Sequence, residues 1–239
     1  ANVVVTAEIA TGGGTLGGAV PATTTAGGVA TFSGLSITGT IGARTLSFSA
    51  TGVAGVASAT STAITVTAGV ASQLGLTTPA AGAASGAAFT TQPVVAVQDA
   101  SGNTVATDNA TVVTMGVSSG ATVVGTAAAT AVNGVATFAT AGISGATGTS
   151  YTLTFTSVPA LTAATQPIAP ARGAASHLTP TTAAAGAPSG AAFVTQPVVA
   201  VRDAAGNTRS GDNSTVVTMT VSTGATTIGS ATATAVGGV

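Results

Sequence analysis

Apolar and polar residues alternate with a period of two along most of this chain. Val5, Ala7 and Ile9 interleave with Thr6, Glu8 and Ala10, and Leu46 and Phe48 with Thr45, Ser47 and Ser49. Val113, Met115 and Val117 do the same with Val112, Thr114 and Gly116. The clearest run is residues 151–156, with Tyr151, Leu153 and Phe155 on one side and Thr152, Thr154 and Thr156 on the other. Successive side chains of a strand point to opposite faces, so each run predicts a half-buried β-strand. Further strands are expected over residues 28–32 and over residues 63–67, where Ile64 and Val66 would face inward. Others are expected around Leu74 and Leu76, around Val95 and Val97 (with Phe89 and Pro93 on the same face), and over residues 134–138. Pro167 lacks an amide hydrogen, so residues 166–169 suit a sheet edge. Gly12, Gly13 and Gly14, and the small residues of 79–86, break the pattern as loops. With about seven short strands per hundred residues and no helical periodicity, the fold expected is an all-β antiparallel sandwich.

The pattern also repeats at long range. Residues 92–103 recur almost unchanged as residues 196–207, a shift of 104 residues. Each copy runs from an apolar strand into a tight turn, Asp99 to Asn103 and Asp203 to Asn207. A period of this length is that of a small domain. Leu178, Phe193, Val199, Val201, Val217, Met219 and Val221 follow Leu74, Phe89, Val95, Val97, Val113, Met115 and Val117 at the same shift. The expected organisation is therefore the back part of a module over 1–69, a complete module over 70–173, and the front part of a third over 174–239. The incomplete ends suit a window on a longer repeat protein; strand donation between molecules along a fibre is the sharper alternative.

Composition then removes whole classes of function. The 239 residues include only four Lys or Arg, all arginine, and five Asp or Glu. Four scattered arginines cannot replace the counterions that nucleic-acid binding requires, nor form a basic membrane patch. Mean hydropathy is +0.63, but Thr, Ser or Gly interrupts every apolar run before the roughly 18 residues of a spanning helix. One tyrosine, six phenylalanines and no tryptophan are too few for the aromatic girdles of a membrane barrel. Without cysteine there are neither disulfides nor thiolate metal sites.

Residues 28–32, 42–52 and 63–74, with the turn from Val97 to Asn103, resemble tandem bacterial Ig-like repeats of the invasin/intimin type. The resemblance covers the whole chain. It implies tandem Ig-like sandwiches in the stalk or fibre of a large secreted or surface protein, often an adhesin. This chain departs from that family in being poor in charge and rich in Ala and Thr. Having no lysine, it cannot form the Lys–Asn isopeptide staple of some surface Ig-like domains.

Candidate sites are few. Asp99 and Asn103 with Asp108, or Asp203 and Asn207 with Asp212, would offer oxygens to calcium. A tight site needs six to eight, several of them carboxylate, so a hydrogen-bonded turn is the expected role. Residues 12–17 match the spacing Gly-x-Gly-x-x-Gly after a strand, but no helix follows to face a phosphate, and a loop is expected. His177 stands where the preceding copy has Gln73, so the fold does not require it, and a solvent-facing place at a junction is expected. Asn109 and Asn213 head glycosylation sequons that chance produces readily in a Thr-rich chain. Thr152, Thr154 and Thr156 serve as ordinary strand formers, with O-linked sugar the lesser reading. The expectation is therefore no catalytic, cofactor or metal residue, and a structural extracellular fibre or stalk segment that associates with copies of itself or neighbouring modules. An adhesin segment binding a surface protein or glycan is the alternative.

Overall fold

The computed structural model of the chain describes residues 2–186 and 188–239. Among them all regular structure is β-strand, in antiparallel ladders. Strand pairing stays within residues 4–66, 73–168 or 177–234.

The middle stretch is a complete β-sandwich. One sheet places Val94–Gln98 between Gln73–Thr78 and Val135–Thr137. The other runs in the order Ala128–Thr130, Val112–Val117, Tyr151–Val158, Ala164–Ile168. A small third sheet joins Ala121–Val124, Gly142–Gly145 and Ala87–Ala88. The strand holding Pro167 lies at an edge, as its missing donor requires. Leu74, Val95 and Val97 of the first sheet share one core with Val113, Met115, Leu153 and Phe155 of the second. Met115 is opposite Phe155, and Val117 opposite Leu153. Phe138 meets Phe155 edge to face at 5.7 Å between ring centroids, the geometry that aromatic quadrupoles favour. Each such buried side chain contributes about 1.5–3 kcal/mol.

Residues 4–66 keep the second of these sheets. Val4–Thr11 pairs with Gly42–Thr51, placing Ala7 opposite Phe48 and Ile9 opposite Leu46. Phe32 meets Phe48 at 5.5 Å between ring centroids, tilted by 50°, in the places that Phe138 and Phe155 hold in the middle stretch. Two expectations fail here. Residues 28–32 form no strand, and Val29 is 60% exposed. The matching Val135–Thr137 is held in its sheet by Val94–Gln98, and this part of the chain has no counterpart of that strand. Ile64, expected to face inward, is exposed, because the same opposing sheet is missing.

The last stretch is the complementary half. His177–Thr182 pairs with Val198–Arg202, and Val216–Thr218 with Thr232–Thr234. Leu178 is 48% exposed, whereas Leu74 is 6% exposed. Strand propensity at the two leucines is the same; their burial differs because no counterpart of Leu153 or Phe155 lies over Leu178.

Candidate functional site: the junctions between repeats

Among the described residues, an extended polar network lies where the strands of residues 4–66 meet those of residues 73–168, and the Asp99–Asn103 turn builds it. The Asp99 amide donates to the Asn103 carbonyl at 2.9 Å, and the Gly102 amide to the Asp99 carbonyl at 3.1 Å. Gly102 has φ +80°, a conformation that glycine adopts without a Cβ penalty. Asp99 Oδ1 accepts the amides of Ser101 and Asn103, both at 2.9 Å. Asp99 Oδ2 accepts the Asn103 side-chain amide at 2.9 Å and the Gly69 amide at 2.8 Å. Gly69 precedes the sandwich to which Asp99 belongs.

Asn103 continues across the junction. Its Nδ2 donates to the Gly39 carbonyl at 2.9 Å, and its Oδ1 accepts the Ile41 amide at 3.0 Å. One turn therefore grips the preceding repeat at three backbone points. The receiving loop, residues 39–41, is itself held from beneath. Arg44 is buried, and its guanidinium donates to the carbonyls of Thr40, Ala43 and Gly13. It thereby anchors the glycine-rich loop at residues 12–14, which is a loop as expected.

The second junction reproduces the first. Asp203 Oδ1 accepts the amides of Ala205 and Asn207, and Oδ2 accepts Asn207 Nδ2 and the Gly173 amide. Asn207 Nδ2 donates to the Gly145 carbonyl, and Asn207 Oδ1 accepts the Thr147 amide, both at 3.0 Å. Tyr151 takes the place of Arg44: its hydroxyl accepts the Ala146 amide at 2.9 Å. Two chemically different side chains thus brace the same loop from one register position, opposite Ile64 in one case and Ile168 in the other. Period-two patterning marks the face of position 44 but not a buried cation there, so Arg44 escaped sequence reasoning.

The donors around each carboxylate explain its acidity. The Asn103 side chain, then the Gly69 amide, hold Asp99 at about 2 against an ordinary 3.8. Burial alone would raise Asp203, but Asn207 and the surrounding amides outweigh it and leave the group lowered. Both oxygens of each carboxylate already accept two or more N–H groups, which leaves little for a cation. Among the described residues no group of three or more His, Cys, Asp or Glu could hold a metal ion.

A second motif closes a neighbouring turn. Asp108 Oδ1 accepts the Ala110 and Thr111 amides, and Oδ2 accepts the Thr111 hydroxyl at 2.6 Å. Asp212 does the same with Ser214 and Thr215. The sequon asparagines tie these turns to a loop 24 residues on: Asn109 Oδ1 accepts the Asn133 amide, and Asn213 Oδ1 the Gly237 amide, each at 2.8 Å. This structural duty accounts for their matching positions. His177 is exposed at the start of its strand, opposite Arg202. Thr152 and Thr156 are exposed and Thr154 is half-buried on the outer face.

No protein-family model matches the chain, and no curated protein does. Among solved structures, a glycosyl hydrolase family 2 member from Bacteroides cellulosilyticus DSM 14838 is similar over 68% of this chain, at 15% identity and a TM-score of 0.34. The matched region is 22% of that protein, and a likeness this slight bears on neither activity nor family.

Proposed function

We propose that this chain is a structural segment of an extracellular or cell-surface fibre or stalk, built from tandem Ig-like modules of the invasin/intimin type and without catalytic activity. The observation that carries this reading is the duplicated junction. A turn that closes on itself has no need of bonds to Gly39, Ile41 and Gly69, yet both copies keep the equivalent three bonds to the preceding repeat. Such a device fixes the angle between consecutive units, which is what a load-bearing spacer requires.

Low charge supports lateral or head-to-tail association with copies of the chain or with neighbouring modules, since little repulsion opposes approach. The aromatic side chains favour the spacer over an adhesive tip. Phe89, Phe138, Tyr151 and Phe155 are buried, and Phe32, Phe48 and Phe193 are half-buried. None stands out as the exposed anchor that protein or sugar recognition favours. Electron microscopy of native material tests the reading: regular filaments of stiff, evenly spaced beads are expected. Isolated flexible rods with measurable affinity for a surface ligand would replace it with the adhesin alternative.

A further inference from the structure

The two junctions are not identical, and the difference is charge. Position 172 carries arginine where the preceding repeat has Ala68, and position 209 carries arginine where it has Val105. In the second junction Arg172 Nε donates to the Thr208 carbonyl at 2.8 Å, and Arg209 Nη1 to the Gly173 carbonyl. Each guanidinium thus crosses from its own repeat to the other. Both line a single cleft of about 550 Å³ together with Thr147, Gly148, Ser210 and Gly211. The first junction has a cleft too, of about 210 Å³, lined by Ile37, Thr38, Val66, Asp99 and neighbours, with no cation on it.

We propose that the second junction is a binding site for an oxyanion, a carboxylate or sulfate group such as an acidic sugar carries. Arg172 uses only Nε for its cross-junction bond, so its two Nη groups form the planar fork that suits a two-oxygen acceptor. Arg209 uses Nη1 and its Nε is buried without a partner, so Nη2 is the group it can turn to an anion. Thr147 and Ser210, each carrying a hydroxyl, line the cleft beside them. The cleft falls within the roughly 300–1,000 Å³ usual for small-ligand sites. Asp212 is the acidic group that bears on Arg209; its own oxygens accept from Ser214 and Thr215, so it offsets the cationic pair without capping it. The site draws on both repeats, so it exists only while the junction is closed. It does not depend on the fibre reading.

The test is titration of the ¹⁵N-labelled chain with sulfate, and separately with glucuronate, at fixed ionic strength. Saturable shifts are expected at the Thr147, Gly148, Ser210 and Gly211 amides and at the Arg172 and Arg209 Nη groups. The Gly39, Ile41 and Gly69 amides of the first junction serve as an internal control and should not move. Arg172→Gln and Arg209→Gln should each weaken binding by about tenfold or more. The Gly173 amide, bonded to Asp203, reports whether the junction stays closed in each variant. Linear shifts without saturation, equal shifts at both junctions, or unchanged affinity in both closed variants would overturn the proposal. Alginate binding more tightly per uronate than free glucuronate identifies a polymer as the preferred source of the anion; equal affinity identifies a single group.

Discussion

The Asn207 side-chain amide donates to the carbonyl of Gly145 at 3.0 Å, 62 residues away in sequence and on a separate set of strands. Asn103 makes the same bond to Gly39. An asparagine that serves first as the closing residue of a tight turn is thus also the contact between successive units. The hydrogen bonds of the turn set its orientation, so the junction inherits the rigidity of the turn.

Removing either asparagine should loosen one junction and leave the sandwich core intact. Asn207→Ala strands the Thr147 amide and removes one donor from Asp203, while the Gly145 carbonyl keeps the Ser85 hydroxyl, for an expected loss of about 1–3 kcal/mol. Hydrogen exchange checks it: the Thr147 amide should exchange faster while Leu153 and Phe155 stay protected. Equal acceleration throughout the middle sandwich would show that the junction is not a separate unit.

Acid should act on the same turns. Asp99 and Asp212 titrate at about 2 against an ordinary 3.8, and Asp203 and Asp108 are lowered as well. A carboxylate more acidic in the folded than in the unfolded chain stabilises fully above its unfolded value, and that contribution disappears as pH falls towards the folded value. Thermal stability is therefore expected to be level from neutrality to about pH 4 and to decline between about pH 4 and 2. Asp99→Asn should flatten part of that decline in a melting series. A midpoint independent of pH across the window would contradict it.

Two equivalent glycines should respond differently to alanine. A Cβ on Gly173 would collide with the Ser85 carbonyl, whereas one on Gly69 would meet nothing nearer than Asp99 Oδ2 at 3.5 Å. The first junction has no partner in the place of Ser85, so Gly69→Ala should change the melting temperature little. Gly173→Ala should lower it and expose the Arg172–Thr208 contact to exchange.

The two aromatic pairs should differ in the same sense. Phe155→Ala, in a core closed on both sides, is expected to cost about 3–5 kcal/mol. Phe48→Ala should cost less, because Phe48 is only half-buried and its neighbours can relax into open space. Denaturant melts of the two variants measure the difference directly.

Much of the strand layout was legible because a strand writes its burial into every second residue. Tyr151, Leu153 and Phe155 face the core and their threonines face out, as alternation predicts. The turn at Asp99 was legible as well, since aspartate, glycine and asparagine at those spacings satisfy local backbone groups. Residues 28–32 and Ile64 misled, because the same residues are a strand or a core only when a partner sheet is present. Arg44 was invisible for a related reason: what buries it is a ring of carbonyls from Gly13, Thr40 and Ala43, and carbonyls leave no trace in residue type.

The sequence by itself determined that this protein is made of β-strands, that residues 92–103 recur 104 residues on, and that almost no charge is available for chemistry. Those properties follow from local periodicity and composition, which need no knowledge of what lies opposite. The tertiary structure alone decided that Asp99 and Asn103 reach back to Gly69, Gly39 and Ile41, and that two arginines meet at one junction and not at the other. Contacts between groups tens of residues apart depend on how whole sheets are placed, and a hydrogen bond accepted by a backbone carbonyl carries no signature in the residue that provides it.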